Sequence, residues 1–131
     1  MTEDVLYLGV DDVVRLHARI FTIDAAAARD RLRDAPALES ALARPIHHAT
    51  YEDADMAMQA AILAHGIAQN QSFIDGNKRT ALIAMTTFLA LNGWDVDVPD
   101  PQLAQLILDF AAGASADVLA AALRGALSPR R

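Results

Sequence analysis

The sequence contains no cysteine, which excludes disulfides, zinc–thiolate centres and thiol nucleophiles. It also lacks an excess of positive charge. With a net charge of −6 and a pI near 4.9, the chain as a whole repels phosphate backbones, so DNA is not expected as a partner. That says little about a single nucleotide, which a local nest of amides and a few cations can hold. Long apolar runs are missing too: the longest are alanine-rich and broken by Gln, His or Gly, so no membrane span is expected. The acidic start, Met1-Thr2-Glu3-Asp4, has no apolar signal core behind it. These absences fit a cytoplasmic protein. No linker, repeat or low-complexity tract divides the chain, which reads as one domain over 1–131.

What is present is a chain of 131 residues with 53% hydrophobic and 21% charged side chains, enough to bury a core and keep a polar surface. Val5 to Leu8 reads as a short strand or extended lead-in. Asp11 and Asp12 suit a helix first turn, and Val10, Val13, Val14, Leu16, Ile20 and Phe21 follow at helical spacing. Ala25 to Ala28 extends that helix or forms another, ended at Asp34-Ala35-Pro36. Leu38 to Ala43 reads as a short helix stopped by Pro45, and Ile46 to Glu52 as a loop. The clearest helix runs from about Asp53 to Asn70, with Met56, Ala60, Leu63 and Ile67 as an apolar stripe. After a break at Gln71 to Gly76, a second long helix runs from Asn77 past Leu91 to a left-handed cap at Asn92-Gly93. Trp94, Val96 and Val98 alternate as a short strand. Asp100-Pro101 opens a further helix closed by Gly113. Ser115 caps a last helix carrying Val118, Leu119, Ala122, Leu123 and Leu127, and Ser128 to Arg131 reads as a frayed tail. The expected fold is all-α: about six helices around a central helical hairpin, with minor extended segments.

The hairpin's break reads Gln71-Ser72-Phe73-Ile74-Asp75-Gly76-Asn77-Lys78-Arg79-Thr80. Gly76 permits a sharp turn and close approach of a ligand to backbone. The helix that follows presents unpaired amides and the positive end of its dipole. Asn77, Lys78 and Arg79 add a neutral donor and two cations. Asp75 places a carboxylate beside this anion site, which is repulsive unless magnesium bridges it to phosphate. Phe73 suits an apolar peg. This is the inventory of a phosphoryl or nucleotidyl transfer site, though not a P-loop, since the Gly-Lys-Ser/Thr ending is absent. Spacing alone equally fits an ordinary helix start with solvated charges and Asp75 as its cap.

The segment resembles the signature of the Fic/Doc family, whose Doc (death-on-curing) branch has His-x-Phe-x-Asp/Asn-Gly/Ala-Asn-Lys-Arg between two helices. Phe73, Asp75, Gly76, Asn77, Lys78 and Arg79 match it. Leu38-Glu39-Ser40-Ala41-Leu42 with Arg44-Pro45, Ala68-Gln69-Asn70, and Phe88-Leu89 with Asn92-Gly93 are Doc-like as well. AMP-transferring members have Gly after the motif Asn and a second Arg one turn later. Here those positions are Lys78 and Leu82, the Doc arrangement. The resemblance implies a toxin of a toxin–antitoxin system that uses ATP and magnesium to move the γ-phosphate onto a protein hydroxyl. The family's known target is the translation elongation factor Tu. It assigns Asp75 to magnesium, Gly76 and Asn77 to the phosphate nest, Lys78 and Arg79 to phosphate charge, and Phe73 to anchoring the loop. It also implies a cognate antitoxin whose partly disordered C-terminal segment folds on binding. No internal inhibitory helix of the Ser/Thr-x-x-x-Glu-Gly/Asn type is seen, so inhibition in cis is not expected.

One position departs from the pattern. The family's His, which takes the proton from the attacking hydroxyl, is Gln71 here, followed by Ser72 where many relatives have Pro. An amide orients a hydroxyl but does not deprotonate it. General-base catalysis contributes about 10²–10⁴-fold, roughly 3–5 kcal/mol of barrier, so nucleotide binding is expected to outlast turnover. The chain is then a low-activity variant, a disarmed form of a toxic protein, or a protein with another base. The alternatives to a kinase are a degenerate fold that binds nucleotide or antitoxin, and an AMP transferase. His65, six residues before Gln71, would sit about 120° out of alignment with it on a continuous helix and reads as an ordinary helix histidine. His47 and His48 read as residues of a loop able to cover the site, His17 as packing or surface, and Met56, Met58 and Met85 as core filling. Trp94 reads as packing at the bundle edge. Asp95, Asp97 and Asp100 read as a solvated edge.

Overall fold

The computed structural model describes residues 4–97, 105, 113 and 115–130. Among these, six helices and two three-residue strands follow one another: α1 (Val10–Phe21), α2 (Ala25–Arg31), α3 (Ala35–Glu52), α4 (Met56–Asn70), α5 (Asn77–Leu91), β1 (Trp94–Val96), α6 (Ala116–Arg124) and β2 (Leu127–Pro129). The fold is all-α, with one small antiparallel pairing in which Trp94, Asp95 and Val96 face Pro129, Ser128 and Leu127. No helix of the described residues is long and apolar enough to cross a membrane.

The helix starts follow from short polar side chains. Asp24, Asp34 and Asp55 each accept a hydrogen bond from the amide three residues on, at 2.8, 3.0 and 2.8 Å, and Ser115 does so at 3.3 Å. At α1 the reach is reversed, the Asp12 carboxylate accepting from the Gly9 N–H at 2.8 Å. α5 starts on Gly76 and, like α1 on Gly9, has no side-chain hydrogen bond from its N-cap residue.

α4 is the central element. It packs on α3, α5 and α6 and is buried on nearly every side, from Ala57 and Gln59 through Ile67 and Ala68. The stripe read from the sequence was therefore too narrow. α1 packs against α2, α3 and α5. Val5 to Leu8 is an extended lead-in with no strand. The Asn92 side chain clamps it, accepting from the Leu6 N–H at 2.8 Å and donating to the Leu6 and Phe88 carbonyls at 2.9 and 2.8 Å. Met85 is buried, and Met56 and Met58 pack against the core from its edge.

Three expectations need correction. α3 does not stop at Pro45 and Ile46 to Glu52 is not a loop: one helix runs from Ala35 to Glu52 with Pro45 inside it. The proline removes the bond to the Ala41 carbonyl, normally a cost of about 3 kcal/mol. Here its ring is fully buried, in line with buried Leu38, Ala41 and Leu42, and packing on α4 outweighs that cost. Next, Leu127 is not in the last helix, which ends at Arg124. Finally, Ser128 and Pro129, expected in a frayed tail from Ser128 to Arg131, instead form with Leu127 the strand that pairs with β1, held further by the Arg130 N–H on the Gly93 carbonyl at 2.8 Å. The expected helix start at Asp100-Pro101, and Val98, lie outside the described residues, while Gly113 has a φ of 96°.

Candidate functional site

The break between α4 and α5 is a tightly held loop. α4 ends on Gln71 in the left-handed region, φ 47° and ψ 50°. Ser72 is buried, and its carbonyl accepts the N–H groups of Arg33 and Asp34 at 2.8 and 3.0 Å. Phe73 forms an isolated antiparallel bridge with Leu32, and the Ile74 N–H donates to the Arg31 carbonyl at 2.9 Å. The α2–α3 link thus lies alongside the loop as a short strand would. From the other side, the Asn77 amide closes a ring on Phe73, its Oδ1 accepting from the Phe73 N–H and its Nδ2 donating to the Phe73 carbonyl, both at 3.0 Å.

Under the loop lies a stack. The Phe73 ring is fully enclosed and lies parallel to the His17 ring, centroids 4.0 Å apart and planes 6° apart. Burial of such a ring contributes about 1.5–3 kcal/mol, which pins the loop to α1. His17 is itself fully buried, and its Nδ1 lies 2.9 Å from the Thr80 hydroxyl on α5. One α1 side chain therefore touches the residues on both flanks of Asp75-Gly76. Burial first, then the Arg31 charge, holds the His17 pKa below its ordinary value, with Asp75 acting weakly the other way. His17 is a neutral structural ring.

Gly76 has φ 73°, and a Cβ there would lie 2.3 and 2.5 Å from ring carbons of Phe21. Only glycine fits. Its place at the start of α5 also refutes Asp75 as that helix's cap: no side chain caps α5, so its first amides are left facing an open pocket of about 320 Å³ lined by Ala68, Gln71, Gly76, Asn77, Lys78 and Arg79. Phe73 and Asp75 are not among its lining residues. Phe73 acts from beneath as the peg and offers no surface to a ligand.

Asp75 is exposed, its Oδ1 3.9 Å from Arg31 Nη1. A pair that open contributes about 0–1 kcal/mol, so the carboxylate is available. Among the described residues no group of three or more His, Asp or Glu could hold a metal. The donor set therefore does not suit a metal held by protein alone. It suits magnesium arriving with phosphate, an ion that takes one or two carboxylates and completes its shell with waters and phosphate oxygens.

The sequence reading groups Gln71, Asp75, Gly76, Asn77, Lys78 and Arg79; all but Asp75 line the pocket. It missed His17 as the support, Phe21, Arg31 and Arg33. Arg33 Nη2 reaches the Gln71 carbonyl at 3.4 Å, and the guanidinium carbons of Arg31 and Arg79 lie over the Phe21 ring at 5.4 and 5.2 Å from its centroid. No local pattern signals these, because they come from α1, α2 and the α2–α3 link. His47 and His48 are not in a covering loop: both sit on α3, where His48 pairs with Glu52. His65 does not line the pocket. It is half-buried on α4, its pKa lowered by burial and by Arg44.

A model of the Fic/DOC family matches residues 7–89, a span that begins in the lead-in and ends in α5. A curated relative, "Toxin Doc" from Mycolicibacterium smegmatis, is 37% identical over 95 residues, which is 71% of this chain and 67% of that protein.

Proposed function

Because the chain belongs to the Fic/DOC family, we propose that it is the toxin of a toxin–antitoxin pair, whose pocket between α4 and α5 binds a nucleoside triphosphate with magnesium for transfer to a protein hydroxyl. The observation that carries this reading is the uncapped start of α5, opening on a pocket lined by Gly76, Asn77, Lys78 and Arg79. First-turn amides and two cations suit phosphate oxygens. Asp75 would hold magnesium, which supplies charge neutralisation at the transferring group.

In the γ-transfer direction, the target's hydroxyl oxygen bonds to the γ-phosphorus, the bond to the β–γ bridging oxygen breaks, and ADP leaves. The hydroxyl proton must go to a base. Gln71 stands at the pocket and is exposed, so its amide can orient the hydroxyl but not take the proton. This supports a second reading: a scaffold that keeps binding, of nucleotide or of a cognate antitoxin, with little turnover.

Radiolabel transfer to purified elongation factor Tu from γ- and α-labelled ATP, with this protein and with Gln71→His, separates the readings. The expected result is γ-label transfer that rises by about 10²–10⁴-fold in Gln71→His. Label only with the variant favours the binding module. Label from the α position replaces phosphate transfer with AMP transfer.

A further inference from the structure

Arg31 is the last residue of α2, far from the motif in sequence, yet the fold fixes it at the loop by three separate contacts. Its carbonyl accepts the Ile74 N–H at 2.9 Å, its guanidinium lies over the Phe21 ring at 5.4 Å, and its Nη1 is 3.9 Å from Asp75 Oδ1. Arg79 lies over the same Phe21 ring at 5.2 Å. Phe21 is thus a shared platform for two guanidinium groups, one from α2 and one from the first turn of α5. The ring presses on Gly76, as the 2.3 Å approach of a notional Cβ shows, so both cations are tied to the residue where the anion site begins.

The Arg31 head is also uncommitted. At 3.9 Å its contact with Asp75 is an ion pair longer than a charge-assisted hydrogen bond of about 2.7–2.9 Å. Its guanidinium makes no hydrogen bond among the described residues, and its side chain is 36% exposed. A cation held by its backbone and by a ring face, with its planar donors free, is placed for a ligand rather than for stability. Among the described residues its only ion pair is with Asp75, the residue suited to magnesium. An ion there would take the carboxylate and repel the guanidinium, leaving Arg31 to pair with phosphate oxygens.

We propose that Arg31 is a phosphate-binding residue of this site, acting with Arg79 as a two-guanidinium clamp on the phosphate chain of the bound nucleotide. The inference rests on the nucleotide reading above. Its test is a binding measurement on the full chain, with ribose-labelled fluorescent ATP, ADP and AMP as probes, in the presence of magnesium. The wild-type chain, Arg31→Gln, Arg31→Lys and, as a reference, Arg33→Gln are compared, with thermal unfolding of each. Arg31→Gln is expected to weaken ATP binding by about tenfold or more, with the loss shrinking from ATP to AMP. Arg31→Lys should recover part of it, and Arg33→Gln should lose less than Arg31→Gln. Equal affinity of Arg31→Gln and wild type for ATP overturns the role of Arg31 while the nucleotide reading stands. So does an equal loss for all three probes accompanied by a fall in unfolding temperature, which marks a structural residue. If the wild-type chain binds none of the probes, the nucleotide reading fails and the clamp falls with it.

Discussion

At the scale of single residues, Gly76 is held by two independent constraints, its left-handed φ of 73° and the Phe21 ring in the space of a Cβ. The family pattern admits alanine at this position, but here Phe21 forbids it. Gly76→Ala is therefore expected to cost about 2–5 kcal/mol, summing backbone strain and overpacking. The cost should shrink to about 1–2 kcal/mol in a Phe21→Leu background, where only the backbone term remains. Denaturant unfolding of the four proteins checks this, and an equal cost in both backgrounds would remove Phe21 from the account. The motif residues were legible in the sequence because they are contiguous and chemically distinctive. The reason for each was less so. Asn77 reads as a ligand donor, yet its side-chain amide is engaged with both polar groups of Phe73. His17 gave no signal, since a histidine on an amphipathic helix looks the same whether it faces water or a phenyl ring.

Among the helices, the approach of α3 to α4 is set by Gly66. A Cβ there would lie 3.0 Å from the Ala41 Cβ and 3.2 Å from its Cα. Neither neighbour can swing aside, since one is backbone and the other is fixed to it. Helix propensity favours alanine over glycine by about 1 kcal/mol, and overpacking opposes it by about 1–3 kcal/mol. Gly66→Ala should therefore be net destabilising by about 1 kcal/mol, and Ala41→Gly in the same chain should lessen the penalty. A gain in stability from Gly66→Ala alone would show that the helices can part. α1, α4 and α5 were readable because their apolar spacing and the breaks between them agree with the fold. α3 was cut short because Pro45 is a breaker by local rules, and only burial against α4 overrides them. β2 was missed because three residues ending in proline carry no period. What makes them a strand is β1, some thirty residues earlier.

For the molecule as a whole, stability should depend on acidity through two histidine rings, one buried and one half-buried. His17 and His65 both fold with pKa values below the ordinary 6.5, burial being the larger cause in each. As pH falls the unfolded chain takes up protons first, so this contribution is full above about pH 6.5 and is lost as pH drops through that value toward the folded pKa. The carboxylate Asp55, held below its ordinary 3.8 chiefly by its hydrogen bond to Arg124, matters only at lower pH. Urea unfolding at pH 7.5 and 5.5 should give a lower stability at 5.5, and His17→Gln should flatten part of that slope. A slope unchanged by His17→Gln would place the effect elsewhere. The charge balance has the same whole-molecule character: the chain carries −6, but Arg31, Arg33, Lys78 and Arg79 gather at one loop. That loop owes its form to Phe73, Asn77, His17 and the backbone of Arg31 and Arg33. The Gln71 side chain makes no hydrogen bond among the described residues, and only its carbonyl is used, by Arg33. Among side chains that tolerate its left-handed backbone, position 71 can therefore change without breaking a hydrogen bond of the loop, so on the reading proposed above a single codon separates this site from one bearing the family's histidine.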